Sequence, residues 1–206
     1  MHSFFVSRSV IGPTGTGKSQ LVYQLIRRRH EIFSQPINRI VWLYSDYQPL
    51  FRKLQLEEPS IVFTNSLHNI KSLVEEDSIL VIDDQFQALN KAEECQIIKD
   101  FYLVHSHHKR VSTIGIFLTA FHRSMREISL NSQILILFDF IRDRTVITNI
   151  ARQVCPGQTR FLQSAYNHCV KNDWGYIVLD FHPRHKKFGW VRSSFFPTED
   201  TVVFIP

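Results

Sequence analysis

Along most of this chain, short unbroken apolar runs alternate with segments whose apolar residues recur every three or four positions. The unbroken runs predict strands over 39–44, 60–63, 79–82, 112–118, 133–138 and 175–180. Continuous rather than alternating apolar character fits strands covered on both faces. The helical spacing predicts helices over 19–30, 67–75, 92–105, 144–153 and 159–171, the last two separated by a turn at Pro156-Gly157. Upstream, Phe4-Phe5-Val6 and Val10-Ile11 supply a first strand that Ser7-Arg8-Ser9 interrupts. Beyond Pro183 the pattern weakens to short strands at 190–195 and 202–205, an edge hairpin. Strands alternating with helices imply an α/β fold with a mostly parallel central sheet. No repeat, linker or composition shift divides the chain, so residues 1–206 are read as a single domain.

Between the first strand and the first helix stands Gly12-Pro13-Thr14-Gly15-Thr16-Gly17-Lys18-Ser19, the full G-x-x-x-x-G-K-[ST] spacing of a phosphate-binding loop. Its glycines let the backbone turn tightly and aim consecutive N–H groups at phosphate oxygens, which a Cβ would obstruct. Lys18 reaches β- and γ-phosphates, the Ser19 hydroxyl ligates Mg²⁺, and the following helix offers its positive N-terminal end. With Leu21, Val22, Leu25 and Ile26 at helical spacing downstream, both flanks that the motif requires are present. The expectation is a nucleoside triphosphate, ATP with Mg²⁺, on a three-layer P-loop NTPase sandwich.

A second element belongs to the same chemistry. Ser78-Ile79-Leu80-Val81-Ile82 is a buried strand ending in two carboxylates, Asp83 and Asp84. Asp83 is the candidate for holding Mg²⁺, directly or through water, because that ion keeps several of its waters. Asp84 is the candidate for polarising the attacking water. The next strand ends at Leu118-Thr119, and Thr119 is the candidate sensor of the γ-phosphate, although a strand-end threonine also serves as an ordinary turn residue.

Composition changes this picture little. At 206 residues and 44% hydrophobic the chain can bury one good core. A net charge of +5 suits a polyanionic partner without requiring one. Cys95, Cys155 and Cys169 have no metal-like spacing and read as free thiols of a reducing compartment. There is no apolar run of about 18 residues and no secretory-type start, so the expectation is an intracellular protein without a membrane span.

Several segments in order carry a resemblance: 11–19, 39–51 and 80–84, then Ser106-His107-His108, Ile128-Ser129-Leu130-Asn131, Arg142-Asp143-Arg144, Ala151-Arg152-Gln153 with Pro156-Gly157, and 175–180. Together they resemble the genome-packaging ATPases of Polinton/Maverick transposons and adintoviruses, related to poxvirus-type packaging ATPases of the FtsK/HerA superfamily. The resemblance implies a homo-oligomeric ring, a hexamer by analogy, that moves double-stranded DNA into a capsid. The nucleus or a viral assembly site is the location such a role implies, and capsid proteins are partners it permits. It also implies an arginine finger acting from a neighbouring subunit, with Arg142 first and Arg144 second in order; pairing with Asp143 or Asp139 is the alternative role for either. One departure stands out. Relatives carry Leu-Thr-Gln-Asn at the sensor-strand end, whereas this chain has Leu118-Thr119-Ala120-Phe121-His122 and a shorter following loop. Either Thr119 or His122 substitutes for the missing glutamine, or turnover is slow or uncoupled. The chain also begins almost at the phosphate loop, so a decayed or host-domesticated copy is a further reading.

Other groupings are less specific. His105, His107 and His108 with Lys109-Arg110 read as a polar helix end, as a DNA-phosphate contact, or as a zinc site short of ligands. Arg184-His185-Lys186-Lys187 beside Phe188 and Trp190 reads as DNA-backbone contact or as a solvated loop. Trp42, Tyr44 and Tyr47 form either an aromatic base platform or, for Trp42 above all, core packing. Three function classes remain: a DNA-packaging translocase, a nucleotide-binding module without turnover, and a small P-loop kinase. ATP turnover separates the second from the first, and stimulation by DNA rather than a small acceptor separates the third.

Overall fold

The computed structural model describes residues 6–33, 35–105, 109–122, 124–182 and 189–206, the side chain of His105 excepted. Its eight strands are β1 (Arg8–Ile11), β2 (Arg39–Tyr44), β3 (Val62–Thr64), β4 (Ser78–Asp83), β5 (Val111–Phe117), β6 (Ile134–Phe138), β7 (Tyr176–Asp180) and β8 (Val191–Arg192). They form one sheet in the order β3-β2-β4-β5-β1-β6-β7-β8. All pairs from β3 to β6 are parallel; β7 runs antiparallel to β6, and β8 antiparallel to β7. An isolated bridge from Arg192 to Val203 extends the C-terminal hairpin. The expected α/β class with a mostly parallel sheet and an edge hairpin is the observed architecture.

Helices cover both faces, which is why the central strands read as unbroken apolar runs. Every residue of β4, β5 and β6 is buried. On one face, Val10, Trp42, Val81, Ile116 and Ile136 pack under α1 (Lys18–Arg27), α2 (Arg29–Ile32) and α3 (Pro49–Glu57). On the other, Ile11, Leu43, Leu80 and Leu137 pack under α4 (Ile70–Leu73), α5 (Ala92–Asp100), α6 (Met125–Asn131), α7 (Thr145–Val154) and α8 (Thr159–Cys169).

Four elements differ from the sequence reading, each for a local reason. The polar triplet Ser7-Arg8-Ser9 does not interrupt the first strand; Arg8 and Ser9 lie inside β1 and are fully buried. Buried polar groups are tolerated when bonded, and here Arg8 donates to the Val6 carbonyl and to Ser112 Oγ, while Ser9 and Ser132 hydroxyls lie 2.6 Å apart. Arg8 also stands over the Phe33 and Phe195 rings. The helix expected over 92–105 is α-helical only to Asp100, after which Phe101–His105 forms a wider π-type turn. Side-chain hydroxyls of Thr113 and Ser7 donate to the Phe101 and Tyr102 carbonyls, drawing them out of the regular ladder. Finally, α3 and α6 had no counterpart in the periodicity, because α3 buries only Phe51 and Leu54 and α6 only Met125 and Ile128.

Gly115 in β5 sits where the sheet leaves no room for a side chain. A Cβ there would lie 2.1 Å from Tyr102 Oη and 2.3 Å from the Phe117 ring. Gly115→Ala is therefore expected to destabilise the protein by about 2–3 kcal/mol, as overpacking of a full core does. The corresponding fall in Tm is roughly 4–12 °C, and a thermal melt showing no loss would contradict this packing.

Candidate functional site

Because β1 is a central parallel strand, the chain leaving its C-terminal end must turn over the sheet edge into α1. Gly12 starts that turn against β6: a Cβ on it would meet Phe138 Cβ at 2.7 Å, and its N–H donates to the Phe117 carbonyl at 3.1 Å. Gly15 and Gly17 take left-handed backbone conformations, φ +82° and +96°, that side chains disfavour. Gly17 is the N-cap of α1 and supplies no side-chain cap, which leaves the first-turn N–H groups directed into the cleft. The Pro13 carbonyl accepts from Lys18 Nζ at 2.7 Å and from Thr16 Oγ1 at 2.9 Å, closing the loop on itself.

The loop faces a cleft of about 450 Å³ whose walls include Thr14, Gly15, Gly17, Lys18, Ser19, Asp83 and Asp84. The sheet order explains the meeting: β5 stands between β1 and β4, so the ends of all three strands share one edge. Asp83 is 3% exposed, and its Oδ2 accepts from Trp42 Nε1 at 3.2 Å and from Gln48 Nε2 at 3.5 Å. Burial pushes the Asp83 carboxyl up to about 6, with the indole bond and Lys18 opposing the rise and Asp84 adding to it. Burial likewise lowers the Lys18 ammonium from its ordinary value, and both acids oppose that. Asp84 is exposed, in a left-handed conformation with φ 50°. Its N–H donates to the Ile116 carbonyl, and its own carbonyl accepts from Ser45 Oγ at 2.5 Å. Aspartate is among the few non-glycine residues that adopt this conformation readily.

The structure thus brings together Gly12, Pro13, Thr14, Gly15, Thr16, Gly17, Lys18, Ser19, Asp83 and Asp84. It does not bring Thr119 to them: Thr119 Oγ1 accepts from the Phe121 N–H in a local turn, and Leu118 lines the cleft instead. His122 Nδ1 accepts from the Ser124 N–H, with its ring beside Phe86. Arg142 is exposed in the loop after β6, while Arg144 pairs with Asp139 at 2.8 Å. Trp42 is fully buried against Phe51 and Phe63, so its role is packing plus the bond to Asp83. Tyr47 is exposed, edge-on to Tyr44. His107, His108 and the basic loop 184–188 lie outside the described residues, as does the side chain of His105; Trp190 packs near Phe161 and Phe181. Sequence reasoning missed Gln48, Leu50 and Trp174 as cleft residues. A signal for Gln48 existed, since it directly precedes Pro49, the first residue of α3.

No protein-family model matches the sequence, and no curated protein matches it. Among solved structures, the chain is similar over nearly its whole length to the DNA-packaging ATPase B204 of Sulfolobus Turreted Icosahedral Virus. That match has TM-score 0.57 and 12% identity, covering 99% of this chain and 98% of the other. The fold is that of the P-loop NTPases. B204 of Sulfolobus turreted icosahedral virus 2, in complex with ATP-γS, matches with TM-score 0.56 and 11% identity over 98% of this chain and 97% of its own. The cytoplasmic domain of the Thermomonospora curvata Type VII secretion ATPase EccC matches with TM-score 0.57 and 13% identity, over 96% of this chain but 25% of its own. At such identities the likeness establishes the P-loop NTPase fold and nothing finer.

The donor set fits Mg²⁺ accompanied by phosphates: hard oxygen ligands from the Ser19 hydroxyl and Asp83 carboxylate, open to the cleft. The raised Asp83 value also predicts a pH dependence of the nucleotide-free protein. The unfolded carboxyl ionises near the ordinary value and the folded one near 6, so the contribution of Asp83 to stability is fullest below pH 4 and is lost as pH rises through 6. Asp83→Asn removes that loss. It is expected to stabilise by on the order of 1–3 kcal/mol at pH 8, a Tm gain of roughly 2–12 °C that vanishes by about pH 4. Thermal melts across pH 4–8 that show a pH-independent difference would rule out a buried, ionising Asp83.

Proposed function

We propose that this chain is a DNA-packaging ATPase that uses ATP and Mg²⁺ to translocate double-stranded DNA, of the kind found in Polinton/Maverick elements and adintoviruses. The observation that carries the reading is the pairing of a complete phosphate loop with two strand-end acids across β5. The end-to-end likeness to B204, itself a DNA-packaging ATPase, supports it. The loop N–H groups of 15–19 and the α1 N-terminus bind the phosphates, and Lys18 contributes a charge toward the β- and γ-oxygens. Ser19 and Asp83 would hold Mg²⁺, which when bound neutralises charge developing on the transferred phosphoryl group. Asp84, exposed at the cleft edge, orients and polarises the attacking water.

Arg142 is unburied and sits on the same sheet edge, following β6. In a homo-oligomeric ring, such as a hexamer, it reaches a neighbouring subunit's cleft as a finger; Arg144 is committed to Asp139 in its own chain. Capsid proteins and a nuclear or viral-assembly location belong to the same proposal. Among the described residues no helix is long and apolar enough to cross a membrane. One observation favours a second reading, a nucleotide-binding module without turnover: Thr119 is engaged locally and an apolar side chain, Leu118, takes its place in the cleft.

Steady-state ATP hydrolysis with Mg²⁺, with and without long double-stranded DNA, tests these readings. DNA-stimulated turnover is expected, with Lys18→Ala and Asp84→Asn each reducing kcat by about 10²–10³-fold. Arg142→Ala should lower the stimulated rate while leaving ATP affinity within a few-fold. ATP binding without turnover under any condition would select the module, and stimulation by a small phosphoryl acceptor alone would select a kinase.

A further inference from the structure

We infer that Trp174 is the stacking platform for the nucleobase of the bound triphosphate, and that the hollow behind it receives the base edge. The inference rests on the nucleotide reading above and adds to it the residue that holds the nucleoside half.

Four observations converge on this side chain. Trp174 is 68% exposed, although burying an indole removes a large apolar area from water and surface tryptophans of that exposure are uncommon. Its backbone has φ 63°, the left-handed region that favours glycine and that a bulky residue seldom occupies without a compensating role. The strain is locked in by its neighbour: a Cβ on Gly175 would lie 2.2 Å from the Cys169 carbonyl oxygen, and the Gly175 N–H donates to the Asn172 carbonyl. The ring itself reaches the phosphate loop, since a Cβ on Gly17 would approach Trp174 Cε3 to 3.1 Å.

Position completes the argument. Trp174 lies just before β7, and the sheet order places β7 on the opposite side of β1 from the acid-bearing strand β4. A triphosphate with its terminal phosphate toward Asp83 and Lys18 must therefore send its nucleoside toward the β6–β7 side. Trp174, together with Gly15, forms the wall shared by the phosphate cleft and a second hollow of about 300 Å³. That hollow is lined by apolar Phe138 and Ile141 and by the polar groups of Lys171, Asn172 and Asp173. An apolar floor with donors and acceptors at its rim suits a flat heteroaromatic ring with a polar edge. Purines, with the larger face, are the expected class. The buried Trp42 and the packed Trp190 stand elsewhere in the fold, so neither substitutes for it.

Isothermal titration of MgATP and of magnesium tripolyphosphate, which has the phosphates but no nucleoside, into wild type, Trp174→Ala and Trp174→Phe separates the roles. Trp174→Ala is expected to weaken MgATP about tenfold while changing tripolyphosphate affinity less than twofold. Trp174→Phe should recover most of the loss. Equal weakening of both ligands would mean that Trp174 only shapes the phosphate loop, and unchanged MgATP affinity would mean that the base lies elsewhere. Either result overturns the platform and leaves the nucleotide site standing. Failure of the wild-type protein to bind either ligand would overturn the platform and the nucleotide reading together.

Discussion

The spacing between neighbouring strands, about 4.8 Å, sets the dimensions of the cleft. One intervening strand, β5, holds the end of β1 and the end of β4 about 10 Å apart. Lys18 and Asp83 are consequently opposite charges that share a cleft without pairing. Lys18 turns back to the Pro13 carbonyl, and Asp83 accepts from Trp42 and Gln48. Both are buried, and burial moves both toward their neutral forms. A site with a destabilised cation on one wall and a destabilised carboxylate on the other is complementary to an anion carrying a divalent cation. The anion would meet Lys18 and the loop N–H groups, and the cation would meet Asp83. The strand order thus supports the proposed ligand more strongly than the loop motif alone.

The rest of the molecule keeps that edge rigid. β1 cannot move without β5 and β6, its parallel partners in register along Arg8–Ile11. The buried guanidinium of Arg8 fastens its start. Burial lowers the Arg8 value to about 10, and Asp180 opposes the drop while Arg192 adds to it. Asp180 is in turn paired with Arg192 at 3.0 Å. Removing one partner of a buried charged cluster leaves an uncompensated charge in low dielectric. The antiparallel end of the sheet is therefore tied electrostatically to the strand that carries the phosphate loop, and through β7 to the loop that carries Trp174.

What could be read from the sequence was whatever is dictated locally. Gly15 and Gly17 need positive φ, Lys18 and Ser19 need fixed spacing, and 79–82 needs burial on both faces; each requirement leaves its mark within a few residues. The sheet class followed from the same runs. Features that depend on distant partners left no such mark. Arg8 reads as a strand breaker until Ser112, Phe33 and Phe195 are seen around it. Trp174 carries no signal in the sequence, and only the fold sets it against Gly17. Gln48 directly precedes α3, and its approach to Asp83 depends on β2 and β4 being neighbours.

That last contact bears on the departure at the end of β5. A strand bearing the acid at its tip has two neighbours, and a neutral polar group can reach the γ-phosphate region from either. In this chain the β5 side presents Leu118, with Thr119 turned away to the Phe121 N–H. The β2 side presents Gln48, whose amide lies at the Asp83 carboxylate and lines the cleft. An amide there supplies donor and acceptor without adding charge, which is what placement of a water beside a carboxylate requires. The cleft therefore holds an amide beside Asp83 although the end of β5 offers none. That neutral polar group comes from the segment that follows β2, on the side of β4 away from β5.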